Sequence, residues 1–144
     1  MAEDLKQLSQ RFYDAVNVGD MDGAMSLVAD DFRDHEEFPG ISSDRDGVRQ
    51  FFEMMRSAFP DFRIEVQDML AEGDRVAVRM QMSGTHQGEF LGMPGTGRRF
   101  STTGIDIIHV VGGKAVEHWG ATDTMGMMHQ LGAMSASAPA GGSA

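Results

Sequence analysis

Residues 100–123 read FSTTGIDIIHVVGGKAVEHWGATD, and they predict two β-strands that meet at a pair of glycines. Side chains alternate between the two faces of a strand, so the length of the loop decides which residues share a face with Asp106. A two-residue turn would set Asp106 opposite Trp119, whereas a three-residue turn closed by a bulge glycine sets it opposite His118. We favour the second arrangement because Val-Gly-Gly-Lys suits a turn with a bulge glycine.

In that arrangement one face of the hairpin carries an acid beside an imidazole. The residues on this face are Asp106, Ile108, His118 and Gly120. Asp106 and His118 are our catalytic candidates, because such a pair tunes its own pKa values and a positioned acid/base group contributes typically 10²–10⁴-fold to a rate. The alternative is a structural hydrogen bond between them in a pocket wall. Ile108 is a candidate substrate contact on the same face.

The composition is that of a globular protein, with 144 residues, 41% hydrophobic and 24% charged. This length suits one domain. A net charge of −10 argues against nucleic acid and anionic membranes as partners, and no apolar run reaches the roughly 18 residues of a membrane span. The absence of cysteine excludes disulfides and thiolate chemistry. The acidic, polar start of the chain does not resemble a secretion signal, so we expect a cytoplasmic protein.

Helical patterns precede extended ones along the chain. Apolar residues recur at helical spacing over residues 4–17, 21–28 and 48–59, and a short, charged, extended segment covers residues 31–38. Alternating patterns around residues 62–66 and 76–82 predict two strands before the hairpin, and residues 124–131 predict a closing helix. This order predicts an α+β fold, in which a curved antiparallel sheet wraps around helices and forms a cone with an internal pocket. We expect one domain over residues 1–132 and a disordered tail over residues 133–144.

Two other elements supply candidate substrate contacts in this pocket. His35 and Asp34 lie in the extended segment at the mouth of the predicted cone, and since strand neighbours face opposite ways we favour His35 for the pocket. Phe52 and Met55 lie on the apolar stripe of the third helix, where they pack in the core or line the cavity. The acidic and imidazole groups at residues 34–37 also suggest metal ligands. Strand alternation divides them between two faces and no HExxH spacing occurs, so we expect no metal.

Three motifs later in the chain resemble one known family. They are GTHQGEFLGMPGTGRRF at residues 84–100, GIDIIHVVGGKAVEHWGATD at residues 104–123 and MMHQLG at residues 127–132. Together they resemble the SnoaL-like polyketide cyclases of the nuclear-transport-factor-2-like superfamily. The resemblance implies a homodimer or homotetramer without metal or organic cofactor that takes a small-molecule substrate, a bulky, apolar carbonyl compound. Cyclases of this family close a ring of an aromatic polyketide methyl ester by intramolecular aldol addition, using a carboxylate and a histidine across the pocket.

The chain departs from the family at both of those positions. The family's catalytic Asp on the last strand would fall at Gly120, and its partner His would fall at Asp106. This chain has the acid on the earlier strand and His118 on the later one, so either the two groups have exchanged strands or the chemistry differs. The alternatives are a relative that takes part in hydroxylation, a non-catalytic small-molecule-binding protein, and a structural dimerisation module.

Overall fold

The computed structural model describes residues 2–133 and shows helices packed on a five-stranded sheet. The elements in chain order are α1 (Ala2–Val18), α2 (Met21–Met25), β1 (Val28–Asp34), α3 (Arg45–Ala58), β2 (Arg63–Glu72), β3 (Arg75–Thr85), β4 (Arg99–Val111), β5 (Lys114–Thr122) and α4 (Thr124–Leu131). The predicted α+β class is confirmed. The second helix is shorter than predicted because β1 already begins at Val28. The predicted tail, apart from residue 133, lies outside the described residues.

The sheet is curved and does not close into a barrel. Its strands are ordered β1-β5-β4-β3-β2, and all neighbouring pairs are antiparallel except β1 and β5, which run parallel. The prediction of a wholly antiparallel sheet was therefore wrong at this edge. A parallel pair requires a long crossover between its strands, and here the chain passes through α3 and the three other strands before β5 returns beside β1.

The hairpin of β4 and β5 has the predicted facing but a different register. Asp106 pairs with Gly120, and Ile108 pairs with His118. The turn contains only Gly112 and Gly113, both at positive φ, and the register shifts further along, between His109 and Val110, where β5 carries one extra residue. That bulge has the same effect on side-chain facing as the predicted three-residue turn. Asp106 and His118 therefore share a face as predicted, but as diagonal neighbours instead of a direct pair.

One face of the sheet packs against α1 and α3. The apolar face predicted for β3 is confirmed, since it is buried at Val76, Val78, Met80 and Met82. Facing it are apolar residues of both helices, among them Leu5, Leu8, Val16, Val48 and Met55. Burial of such side chains contributes about 1.5–3 kcal/mol each relative to leaving them exposed. Between this face and the helices lies the cavity described below.

Aspartates set where the shorter helices begin. The Asp44 carboxylate accepts a hydrogen bond from the Gly47 amide at 3.1 Å, so α3 starts before the apolar stripe that begins at Val48. Asp123 caps α4 in the same way through the Gly126 amide at 2.9 Å, and α4 ends at a left-handed Gly132. Across residues 2–133, the helices are all too short or too polar to cross a membrane.

Candidate active site

A cavity of about 180 Å³ lies between the sheet and helices α1 and α3. Most of its lining is apolar and includes Phe12, Phe52, Met55, Met80, Met82 and Ile108. The predicted substrate contacts Phe52, Met55 and Ile108 thus do line it. Typical ligand pockets measure roughly 300–1,000 Å³, so a polycyclic ligand requires lining side chains to move. Three of those named are methionines, whose unbranched side chains rearrange readily.

A chain of four hydrogen-bonded side chains crosses one wall of this cavity. His118 Nδ1 donates to Asp34 Oδ1 at 2.8 Å, and His118 Nε2 donates to Asp106 Oδ1 at 2.7 Å. The Tyr13 hydroxyl donates to the other Asp106 oxygen at 2.6 Å. The side chains of His118 and Asp106 are 18% and 16% exposed, so this chain is polar, connected and largely removed from water. The predicted meeting of Asp106 and His118 inside the cavity is present.

Strand pairing brings these residues together from distant parts of the sequence. The parallel pairing of β1 with β5 places Asp34 beside His118. The bulged pairing of β4 with β5 places Asp106 diagonally across from His118 on the same face. Tyr13 reaches them from α1, whose buried side points into the cavity. The site therefore depends on the edge strand as well as on the hairpin.

The hydrogen bonds of His118 determine its charge. Both ring nitrogens face carboxylate acceptors, and only the imidazolium form donates from both. Burial alone would lower the pKa of His118, but hydrogen bonds and the negative charges of Asp106 and Asp34 outweigh it and raise the pKa to about 10. His118 is therefore a fixed positive charge at neutral pH. Burial, together with the charge of Asp106, also holds the pKa of Tyr13 well above its ordinary value, so Tyr13 remains a neutral donor.

A third carboxylate, Glu36, lies beside this pair and was not among the predicted site residues. Its Oε1 is 3.8 Å from His118 Nε2, and its Oε2 accepts a 3.2 Å hydrogen bond from the Thr122 hydroxyl. Burial raises the pKa of Glu36, and the negative charge of Asp106 adds to this, while the positive charge of His118 opposes it. The spacing Asp-x-Glu from Asp34 was the available signal, because alternate residues share a strand face.

His35 lies on the opposite side of the sheet from the cavity. Its ring stacks on Trp119 with centroids 4.7 Å apart, and its Nε2 donates to Glu117 Oε2 at 3.1 Å. The preference for His35 as the residue that faces the pocket was wrong, and the other candidate, Asp34, lines the cavity instead. The reason is the pairing with β5, which puts Asp34 on the face of His118 and therefore turns its neighbour away.

The outer face carries a second polar network around the same two strands. His109 donates to Glu117 Oε1 at 3.0 Å and to Asp74 Oδ2 at 2.8 Å, and Arg75 lies 4.9 Å from the centre of the Trp119 ring. Hydrogen bonds to Glu117 and Asp74 raise the pKa of His109. These residues do not line the cavity, so we assign them no part in its chemistry.

Ser9 is a further polar group in the cavity wall that the sequence did not single out. It lies on α1, is fully buried and lines the cavity. Within residues 2–133 its hydroxyl has no hydrogen-bond partner. A buried hydroxyl without a partner is destabilising, so Ser9 is available to bond a polar group of a ligand.

Glu36, Asp106 and His118 are also the one group, among the described residues, whose possible metal-ligating atoms all lie within 4.8 Å of one another. Metal ligation by imidazole requires a neutral ring with a free lone pair. His118 instead carries protons on both nitrogens, and a pKa of about 10 makes removal of one costly. The donor set as arranged therefore fits proton transfer better than metal binding.

Comparisons with known proteins agree with this architecture. The family described as SnoaL-like polyketide cyclase matches residues 7–131. Aklanonic acid methyl ester cyclase DnrD from Streptomyces peucetius is 42% identical over 60 residues, which are 42% of this chain and 41% of that protein. That match therefore spans about two fifths of the relative's own length. Nogalonic acid methyl ester cyclase from Streptomyces nogalater is 28% identical over 120 residues, 82% of this chain and 90% of that protein.

A solved structure extends the similarity over nearly the whole chain. AclR from Streptomyces galilaeus, described as a proposed hydroxylase, superimposes with a TM-score of 0.83 at 33% identity. The superposition covers 93% of this chain and 99% of that one. The similarity therefore extends well beyond the 60 residues matched in DnrD.

Proposed function

Because the chain belongs to the SnoaL-like polyketide cyclase family, we propose that it is an enzyme that closes a ring by intramolecular aldol addition. The substrate class is a bulky, apolar polyketide methyl ester with adjacent carbonyl groups. Such a ring closure rearranges bonds within one molecule, so it needs proton transfers and no added cofactor. The relatives named as cyclases of aklanonic and nogalonic acid methyl esters support this substrate class.

The observation that carries the proposal is an imidazolium held between two carboxylates in the wall of an otherwise apolar cavity. Aromatic and methionine side chains such as Phe52 and Met55 would hold the rings of the substrate. The positive charge of His118 would stabilise the enolate and alkoxide that form during aldol addition, because charges interact strongly where water is excluded. Asp106 would hold His118 in place and, with Tyr13, complete the acid/base network.

Hydroxylation is the second candidate, and the similarity to AclR supports it. Both reactions begin with the same step, removal of a proton from carbon next to a carbonyl group. They differ in the fate of the enolate, which either attacks a second carbonyl group or bonds to O2 to give a hydroperoxide. An added two-electron reductant would then convert the hydroperoxide to the alcohol and water. The cavity residues described above serve the shared first step in either case.

Incubation of the purified protein with aklanonic and nogalonic acid methyl esters, followed by chromatography and mass spectrometry, would test the proposal. Ring closure gives a product with the same mass as the substrate and a different chromatographic retention time, whereas hydroxylation adds the mass of one oxygen atom. Asp106→Asn and His118→Ala should both lose turnover while circular dichroism shows them folded. Unchanged turnover in both variants would defeat the proposal. A wild-type protein that binds both esters and returns them unchanged would favour a binding function.

We also propose that the protein forms a homodimer or homotetramer. The outer face of β4 exposes Ile105 and Ile107, which are 49% and 40% exposed. Apolar side chains adjacent on one face are typical of a surface that packs against another protein copy. Light scattering coupled to size-exclusion chromatography would measure the mass, and Ile105→Lys with Ile107→Lys should convert the oligomer to a monomer. A monomeric wild type would refute this assignment.

A further inference from the structure

We propose that Glu36 is the base that removes the proton from the substrate carbon, in a space that exists because residue 120 is glycine. This inference rests on the proposed acid/base function and assigns its central step to a residue on a different element from the catalytic candidates. Three features of the site support it: the hydrogen bonds of the other groups, the position of Gly120 and the charges around Glu36.

The other ionisable groups of the site are already engaged. His118 donates from both ring nitrogens, so it has no lone pair with which to accept a proton. Each oxygen of Asp106 accepts one short hydrogen bond, from Tyr13 at 2.6 Å and from His118 at 2.7 Å. Asp34 Oδ1 accepts from His118 at 2.8 Å and from the Glu36 amide at 2.9 Å. These bonds occupy both nitrogens of His118, both oxygens of Asp106 and one oxygen of Asp34.

Glu36 differs in that its Oε1 has no such short bond. His118 Nε2 lies 3.8 Å from Oε1, outside hydrogen-bonding distance, and Oε2 accepts a 3.2 Å bond from Thr122. The side chain lines the cavity and is 30% exposed, so an apolar ligand in the cavity can approach Oε1. Of the two carboxylates with an oxygen outside the hydrogen bonds of His118, Glu36 is the more exposed, at 30% against 22% for Asp34.

Gly120 is required for this placement. A Cβ at residue 120 would lie 2.2 Å from Glu36 Oε1, and 2.8 Å from both Asp106 Oδ1 and His118 Nε2. The three polar atoms thus converge on the volume that any other side chain would fill. Because all three are the ends of side chains, a larger residue at this position would displace them without disturbing the backbone of β5. Glu36 and Gly120 form a matched pair in which the carboxylate fills the space left by the missing side chain.

The surrounding charges suit a base. Asp34 on β1, Asp106 on β4, His118 on β5 and Tyr13 on α1 are the titratable groups that face Glu36. Burial and the charge of Asp106 raise the pKa of Glu36 above the usual value, against the opposing charge of His118. A raised pKa makes a carboxylate a stronger base.

The step balances within one substrate molecule. Glu36 takes a proton from a carbon flanked by carbonyl groups, and the electron pair of the broken C–H bond moves onto a carbonyl oxygen to form the enolate. The enolate carbon then bonds to the second carbonyl carbon, whose C–O π bond breaks to give an alkoxide. The Glu36 carboxylic acid returns its proton to that alkoxide. No oxidant, reductant or second reactant is needed.

The test compares Glu36→Gln with Glu65→Gln, a matched change on an exposed residue of β2 away from the cavity. Two readouts with the test esters are needed, ring closure and exchange of the activated C–H for deuterium in D₂O, followed by NMR. We expect Glu36→Gln to lower kcat for both by about 10²–10⁴-fold with little change in KM, and Glu65→Gln to change neither. The wild-type kcat/KM should fall as pH drops through the pKa of Glu36, and that limb should vanish in Glu36→Gln.

The two readouts separate this inference from the proposed function. If the wild type exchanges deuterium without closing a ring, and Glu36→Gln abolishes exchange, ring closure fails but Glu36 remains the base. If the wild type closes the ring and Glu36→Gln does so equally well, the assignment of Glu36 is overturned. If the wild type does neither, both proposals fall.

Three further variants test the role of Gly120. Gly120→Ala should remain folded and lose activity because its Cβ occupies the position of Glu36 Oε1. Adding Gly120→Ala to Glu36→Gln should then cost less than the product of the two single losses, since both changes act on Glu36, although the new Cβ also crowds Asp106 and His118. Gly120→Asp in the Glu36→Gln background should restore part of the activity by supplying a carboxylate from β5. If the two losses of activity multiply fully in the double variant, and Gly120→Asp restores no activity, then Glu36 and Gly120 do not act as a matched pair.

Discussion

The charge of His118 makes a testable contribution to the stability of the fold. Its pKa is about 10 in the folded protein against an ordinary value of 6.5, and a tenfold difference in proton affinity is worth about 1.4 kcal/mol. The folded state therefore binds this proton more tightly than the unfolded state by about 5 kcal/mol. Because the folded pKa is the higher one, this stability is fully present below pH 6.5 and is lost as pH rises towards 10.

The expected dependence can be worked out for the range of an unfolding experiment. About 4 kcal/mol of the contribution remains at pH 7, about 2 kcal/mol at pH 8.5, and almost none above about pH 10.5. His118→Gln removes the titrating group and keeps a polar side chain of similar size. The difference in unfolding free energy between wild type and His118→Gln should thus shrink by about 4 kcal/mol between pH 7 and pH 10.5.

Urea unfolding at several pH values, followed by circular dichroism, would measure this difference. Taking the difference between two proteins cancels the titration of His109, tyrosine and lysine, which both proteins share. His129→Gln, at an exposed position on α4, is the matched control and should give no dependence of this size. A wild-type advantage that stays constant from pH 7 to pH 10.5 would show that His118 is not an imidazolium between Asp34 and Asp106.

Three further changes have expected outcomes. Tyr13→Phe removes the 2.6 Å hydrogen bond to Asp106 and should lower the unfolding free energy by about 1.5–3 kcal/mol in urea titration; an unchanged value would mean that water replaces the hydroxyl. Phe52→Ala removes an aromatic wall of the cavity and should weaken binding of a polycyclic ester by about tenfold or more in calorimetry, whereas equal affinity would place the ligand elsewhere. Asp123→Ala removes the cap of α4 and should cost about 1 kcal/mol; no loss would mean that α4 does not unfold with the domain.

The sequence was sufficient for the class of fold and for the facing of the hairpin. Helical spacing in the first half and alternation in the second are strong signals because each reflects burial of one face. The register was harder to predict. The turn itself contains two residues. Whether Asp106 and His118 share a face depends on a bulge within β5, and no residue type in the sequence marks that bulge. A bulge and a longer turn have the same effect on which side chains share a face. The prediction that Asp106 and His118 share a face was therefore correct, although the predicted turn was wrong.

The remaining site residues could not be found from local pattern alone. Which of Asp34 and His35 points inward depends on the parallel pairing with β5, a contact between residues far apart in the chain. Glu36 follows from that choice, since it shares the face of Asp34. Tyr13 is separated from Asp106 by 93 positions, and only the packing of α1 over the sheet brings the two together. Tertiary contacts of this kind leave no periodic signal.

The arrangement of charge explains why a base should be located at Glu36 and not at another carboxylate. Three carboxylates surround a single imidazolium in the wall of a largely apolar cavity, so negative charge exceeds positive charge among Asp34, Glu36, Asp106 and His118. Excess charge out of water is costly, and binding a proton relieves it. Asp34 and Asp106 each hold a hydrogen bond from His118, so they gain least from a proton. Glu36, which holds none, gains most, and it is also the group next to the space in which a substrate would lie. Asp34 and Asp106 thus favour Glu36 as the base, because they accept the two His118 N–H hydrogen bonds that would otherwise stabilise the Glu36 carboxylate.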